Sequence, residues 1–139
     1  MDMPHSEILS ILARSGGEAL KAFGETLIPQ LGEVDVQRSQ TGLVMLPMFD
    51  TAQGTAFHLG EVLVSEAQIK RGELQGYGMR KGRDLEAAMA MALVDLALQS
   101  DVSAKACHAF VTTQKDIQDA EDRATLCKVE ATRVDMETF

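Results

Sequence analysis

The 139-residue chain has no tryptophan and one tyrosine, so any core it builds must rely almost entirely on aliphatic and methionine side chains. Its eight methionines suit that task, because a flexible thioether fills irregular gaps. Cysteine is scarce as well. Cys107 and Cys127 are too few for a disulfide framework, and both are expected to be reduced thiols. No apolar run is long enough to span a bilayer; the longest, residues 87–98, is interrupted by Asp95. The N-terminal stretch MDMPHSEILS lacks the basic-then-apolar pattern of an export signal, so a cytoplasmic location is expected. Basic residues are in deficit: 13 Lys and Arg face 21 Asp and Glu, a net charge of −8. That balance argues against nucleic acid and anionic membrane as partners, although a local basic spot could still hold a small anion.

Catalytic patterns are missing too. His5, His58 and His108 lie far apart, with no zinc-ligand spacing among them or the cysteines. There is no nucleophile elbow, Walker loop or zincin helix. Cys107-His108 is adjacent in sequence, which does not make it a nucleophile and base, because such partners meet in space. His58 sits in a strand-like stretch and reads as structural, since nothing nearby offers a second catalytic group. No catalytic residue and no metal ligand is expected.

What remains is a composition of 45% hydrophobic and 24% charged residues, ordinary for one globular domain over 1–139. Residues 5–23 carry helical spacing broken at Gly16-Gly17, with Ser6 as a candidate cap and Pro29 and Gly32 as terminators. Strand patterns follow. Val34 and Val36 alternate with polar residues, and 39–42 has turn chemistry. Leu43 to Leu46 reads as a strand buried on both faces and ending at Pro47, followed by a loop at 51–54. Phe57 to Val64 is a long strand, and a polar turn at 70–72 leads to a fourth strand over 74–79. These links are too short for helical crossovers, so the sheet is antiparallel.

Two helices complete the chain. The first is capped by Asp84 and apolar nearly all round, which implies cover on both sides, supplied by this chain alone or in part by another. The second should start near Thr113, where Thr113-x-x-Asp116 resembles a capping box. Along it Ile117, Ala120, Ala124, Cys127, Ala131 and Val134 keep heptad spacing. This seam of mostly small side chains either packs on the chain's own sheet or lets a neighbouring subunit approach closely. The expected fold class is α+β: an antiparallel sheet of about four strands with an N-terminal helical segment and two C-terminal helices.

One local feature could bind an anion. Residues 76–84, Gly-Tyr-Gly-Met-Arg-Lys-Gly-Arg-Asp, form a strand end, a basic glycine turn and a helix start. A helix N-terminus offers unpaired N–H groups to a phosphate, so Gly82 and Arg83 are candidate substrate-binding residues. The alternative is a tight structural connection in which the glycines serve backbone geometry.

Several of these stretches, taken in order, resemble the PhnG family, the G subunits of carbon–phosphorus lyase. They are Thr41-Gly42-Leu43-Val44, Phe57-x-Leu59-Gly60-Glu61, Gly76-Tyr77, Gly82-Arg83-Asp84 before an Ala-rich helix with Asp95, and Glu130-x-x-Arg133-Val134-Asp135. Arg83 is the basic residue the resemblance carries over. It implies a subunit of a complex with I, H and J subunits and an ATPase-like L subunit. In that family's first committed step an alkylphosphonate displaces adenine from ATP, giving a ribose 1-phosphonate 5-triphosphate. ATP and alkylphosphonate are then substrates of the complex, and no cofactor is expected on this chain. The implied role is accessory, docked on the I subunit or on a second copy of itself. A stand-alone homodimeric module binding a small anion is the alternative.

Overall fold

A computed structural model describes residues 3–49 and 57–137. Among these residues four helices and one three-stranded antiparallel sheet follow one another in the order ααβββαα, so the α+β expectation holds. Helix α1 (His5–Arg14) buries Ile8, Ile11 and Leu12, the one-face spacing of an amphipathic helix. It begins directly after Pro4; Ser6 lies inside the first turn and does not cap it. Its C-terminus is closed by Ser15, whose hydroxyl donates to the Ile11 carbonyl at 2.7 Å.

Helix α2 (Gly17–Leu31) starts where Gly16-Gly17 interrupts the periodicity and buries Leu20, Leu27 and Leu31. Pro29 does not terminate it. The helix continues through that ring to Leu31 and stops at Gly32, which takes the left-handed φ of 73°. Pro29 lies in the last turn, where losing one N–H costs little because both it and Glu25 face solvent.

The first two expected strands are one. Strand β1 (Asp35–Phe49) runs through residues 39–42 without a turn, relieved only by an irregularity in register between Val36 and Arg38. Cross-strand bonds to a long partner outweigh the turn preference of Ser, Gln, Thr and Gly. That partner is β2 (Phe57–Arg71), paired with β1 from Asp35↔Lys70 to Phe49↔Phe57. Strand β3 (Leu74–Lys81) pairs only with the second half of β2, from Arg71↔Leu74 to Val64↔Lys81. The expected loop at 51–54 lies outside the described residues.

Beyond Val64 the sheet therefore narrows to two strands, an arm of seven residues on the β2 side, or roughly 23 Å at 3.3 Å per residue. This is why Leu43 and Met45, expected to be buried on both faces, are 63% and 56% exposed. They sit past the point where helices cover the sheet.

Helix α3 (Leu85–Gln99) is the centre of the molecule, with every residue from Ala87 to Ala97 buried except the half-buried Met89. It packs on β3 and β2 on one side and on α2 on the other, with α1 and α4 at its flanks. Both covers are supplied by this chain. Each fully buried Leu or Ile of this core contributes about 1.5–3 kcal/mol of transfer free energy.

Helix α4 (Ala104–Glu137) starts nine residues before Thr113 and is one unbroken rod of 34 residues, about 51 Å long. Among the described residues it packs mainly on α1 and α3, with Phe110 stacked on Phe23 of α2, rather than on the sheet.

Candidate functional site

The glycine-rich segment is placed by packing. Gly76 and Gly78 lie on the face of β3 that meets α3, and both are buried. A Cβ at Gly76 would stand 2.3 Å from the Ala92 carbonyl oxygen, and one at Gly78 would stand 2.1 Å from that of Ala88. Strand backbone thus lies directly on helix backbone, which is why the facing stretch of α3 is rich in alanine. The glycines of Gly76-Tyr77-Gly78 serve this close approach.

Asp95, the odd residue on an otherwise apolar helix, is 1% exposed and fully engaged. Its Oδ2 accepts from the Tyr77 backbone N–H at 2.9 Å, and its Oδ1 lies 2.6 Å from His5 Nε2. One carboxylate therefore ties α3 to the outer edge of β3 and to the first residue of α1. Sequence reasoning flagged Asp95 as anomalous but missed its partner, because the two lie 90 residues apart and His5 carries no local signal.

The basic turn is largely occupied. Arg80 donates to the carbonyls of Leu12 and Ser15, both at 2.7 Å, and so caps the C-terminal end of α1. Burial lowers its pKa from the ordinary arginine value, and neighbouring Asp84 partly opposes that shift. Gly82 adopts a φ of 93°, its N–H donates to the Leu63 carbonyl, and its own carbonyl accepts from Ser65 Oγ. Asp84 caps α3 by accepting from the Ala87 N–H at 3.1 Å, and it also meets Lys21 Nζ at 2.9 Å. These contacts hold the Asp84 carboxyl below the usual carboxylate range, the bond from Lys21 contributing most.

Arg83 is exposed and makes no ion pair among the described residues. With Lys21, Thr41, Asp84, Leu85 and Glu86 it lines an open depression of about 550 Å³ at the α3 N-terminus. Two cations and two carboxylates face it, so its field is mixed. Gly82 and Arg83 are thus adjacent at the surface, with Lys21 a neighbour the sequence did not suggest. No cluster of His, Cys, Asp and Glu able to hold a metal occurs among the described residues. His58 is in β2, and its side chain lies outside the described set.

The heptad seam on α4 has a different character. The face of α4 that packs on the chain is Cys107, Val111, Gln114 and Gln118, all buried. At 3.6 residues per turn the seam is centred roughly 140° round the helix from that face. Ile117, Ala120, Ala124, Cys127 and Ala131 are accordingly exposed, and Val134 continues the helix beyond the described side chains. Every residue from Asp119 to Ala131 is exposed, Leu126 by 62% and Val129 by 58%. An ion pair from Arg14 to Asp122 at 3.0 Å marks where the rod leaves the body. The Cys107 thiol is buried in the core, and burial pushes its pKa up to about 11, whereas Cys127 is exposed on the seam. Among the described residues no helix is long and apolar enough to cross a membrane.

The family model described as phosphonate metabolism protein PhnG matches residues 4–139. A Rhizobium meliloti (strain 1021) protein, alpha-D-ribose 1-methylphosphonate 5-triphosphate synthase subunit PhnG, is 33% identical over 138 residues, covering 96% of this chain and 86% of the relative. With a match running from the first helix through the arm and the glycine segment to the end of the long helix, the chain belongs to the PhnG family of phosphonate metabolism proteins.

Proposed function

We propose that this chain is an accessory subunit of an alpha-D-ribose 1-methylphosphonate 5-triphosphate synthase, acting in the cytoplasm as part of a hetero-oligomer that breaks down organic phosphonates. The observation that carries this reading is the distal half of α4. It is helical, with Leu126 and Val129 exposed, and among the described residues nothing of its own chain covers those two side chains. A free helix of this composition gains by burying its seam in another protein, and small residues at Ala120, Ala124 and Ala131 let a partner backbone come close. The relative's description as a synthase subunit supports the same role.

The partner proposed for the seam is the I subunit, with H, J and L subunits completing the assembly. ATP and alkylphosphonate are its substrates, and no cofactor is assigned to this chain. If the chain touches the triphosphate, Arg83 and Gly82 are the point of contact, with Lys21 beside them. The carboxylates of Asp84 and Glu86 in the same depression weigh against tight anion binding there.

Co-expression with the I subunit, followed by size-exclusion chromatography with light scattering, tests the reading. A joint complex is expected, with ATP-dependent adenine release that requires this chain. A well-behaved monomer or homodimer that ignores the I subunit would turn the assignment toward a stand-alone anion-binding module. Arg83→Ala in an intact complex separates a binding role from a purely structural one: unchanged turnover removes Arg83 from the substrate site.

A further inference from the structure

Among the described residues the sheet has three edges without a partner strand, and they are treated differently. On the outer edge of β3, the Tyr77 N–H is taken by Asp95 and the Gln75 carbonyl by Gln99 Nε2 at 2.7 Å. On the outer edge of β1, the irregularity at Val36/Arg38 and Pro47 interrupt the row of donors. Both are devices that keep an edge from pairing with another strand. The third edge is the side of β2 that β3 leaves bare.

Its hydrogen-bonding groups follow from the register. Leu63 accepts from the Gly82 N–H at 2.8 Å, so Leu63 directs its backbone polar groups toward the β3 side. In an antiparallel strand the direction alternates, so Phe57, Leu59 and Glu61 point the same way, while His58, Gly60 and Val62 point to β1. Pairing with β3 begins only at Val64, and the chain turns away at Gly82 onto α3. Among the described residues nothing pairs with Phe57, Leu59 and Glu61 on that side, and no proline or bulge interrupts the row.

Beside this edge the outer sheet face forms a groove of about 520 Å³ lined by Val44, Val62, Val64 and Met79, with Arg14 and Lys81 on its rim. Arg14 is engaged by Asp122, whereas Lys81 is exposed and has no acidic partner among the described residues. We infer that the bare β2 edge is a strand-addition site for an extended segment of another subunit. The segment continues the line of β3 past Lys81, takes its hydrogen bonds from Phe57, Leu59 and Glu61, lays an apolar side chain opposite Val62, and sets an acidic one against Lys81. Main-chain bonds supply the attraction, and the groove and the lysine supply the selectivity. The inference rests on the assembly reading above, since it needs a second polypeptide.

Hydrogen exchange on the full chain, alone and co-purified with the I, H and J subunits, tests it at single-amide resolution. The amides of Phe57, Leu59 and Glu61 should exchange about tenfold or more slowly in the complex. Those of Gly60 and Val62, already bonded to β1, should change little. Glu61→Pro removes one of the free donors while keeping the bonds to β1, just as Pro47 sits on the outer side of β1; it should weaken assembly by about tenfold or more, while Glu61→Ala leaves it intact. A complex that forms with all three amides still exchanging at their free rate overturns the strand-addition site but leaves the assembly reading standing. Absence of any complex overturns both. Protection that grows with the concentration of this chain alone assigns the edge to a second copy and overturns the proposed occupant.

Discussion

Gly78→Ala is the most direct perturbation of the contact on which this fold is organised. The added methyl would stand 2.1 Å from the Ala88 carbonyl oxygen and 3.0 Å from the Ala92 N. Neither atom belongs to a side chain that can turn aside, so strand and helix must separate along the most buried stretch of the molecule. Overpacking of a tight core costs about 1–3 kcal/mol, and a clash with backbone puts this site at the upper end. Alanine also lowers the entropy of the unfolded chain, which returns about 0.4–1 kcal/mol. The net expectation is a loss of about 2 kcal/mol, or a fall in Tm of roughly 6–10 °C for a domain of this size. Gly42→Ala is the control, because nothing lies within 4 Å of its Cβ position. It should leave Tm within roughly 2 °C of the parent. Thermal unfolding followed by circular dichroism reads both. A Gly78→Ala protein that melts with the parent would refute the close-packing account and reopen a ligand-binding role for the glycine segment.

Asp95→Ala removes the buried acceptor of the half-buried Tyr77 N–H and should cost about 1–3 kcal/mol in urea denaturation, whereas His5→Ala, at a largely exposed ring, should cost under about 1 kcal/mol. Because Lys21 and the Ala87 N–H depress the Asp84 pKa, its stabilising effect is present above the ordinary carboxylate value of about 3.9 and is lost as pH falls through the lower folded value. Asp84→Asn should flatten that part of a stability profile measured between about pH 6 and pH 2. Burial raises the Cys107 thiol to about 11, so its contribution is complete below the unfolded value of about 8.5 and declines as pH rises from there to about 11. Cys107→Ala should remove this alkaline slope, and in the parent a thiol reagent should label exposed Cys127 rapidly and Cys107 only on unfolding. Ala124→Arg, on the exposed seam, should leave Tm nearly unchanged and abolish co-purification with the I subunit; retained binding would move the interface off the seam.

Where local chemistry and periodicity agreed, the sequence by itself determined the element. The break at Gly16-Gly17, the cap at Asp84, the stop at Gly32 and the apolar character of α3 were all legible, because each depends on residues within a turn or two. The order of helices and strands and the family resemblance were legible for the same reason. Tertiary structure decided the rest. Residues 39–42 have turn composition but lie in β1, since the strand beside them supplies hydrogen bonds a turn would forgo. Leu43 and Met45 read as buried, yet they are exposed because β3 stops at Lys81, and strand length is a property of pairing. Asp95 found His5 across 90 residues, and Arg80 found the end of α1, through contacts no sequence window contains. The seam on α4 was visible as a pattern, but whether its own sheet or solvent faced it depended on rotation about the helix axis. That rotation is set by Cys107, Val111, Gln114 and Gln118 docking on the body, and it leaves Ile117, Ala120, Ala124, Cys127 and Ala131 turned outward.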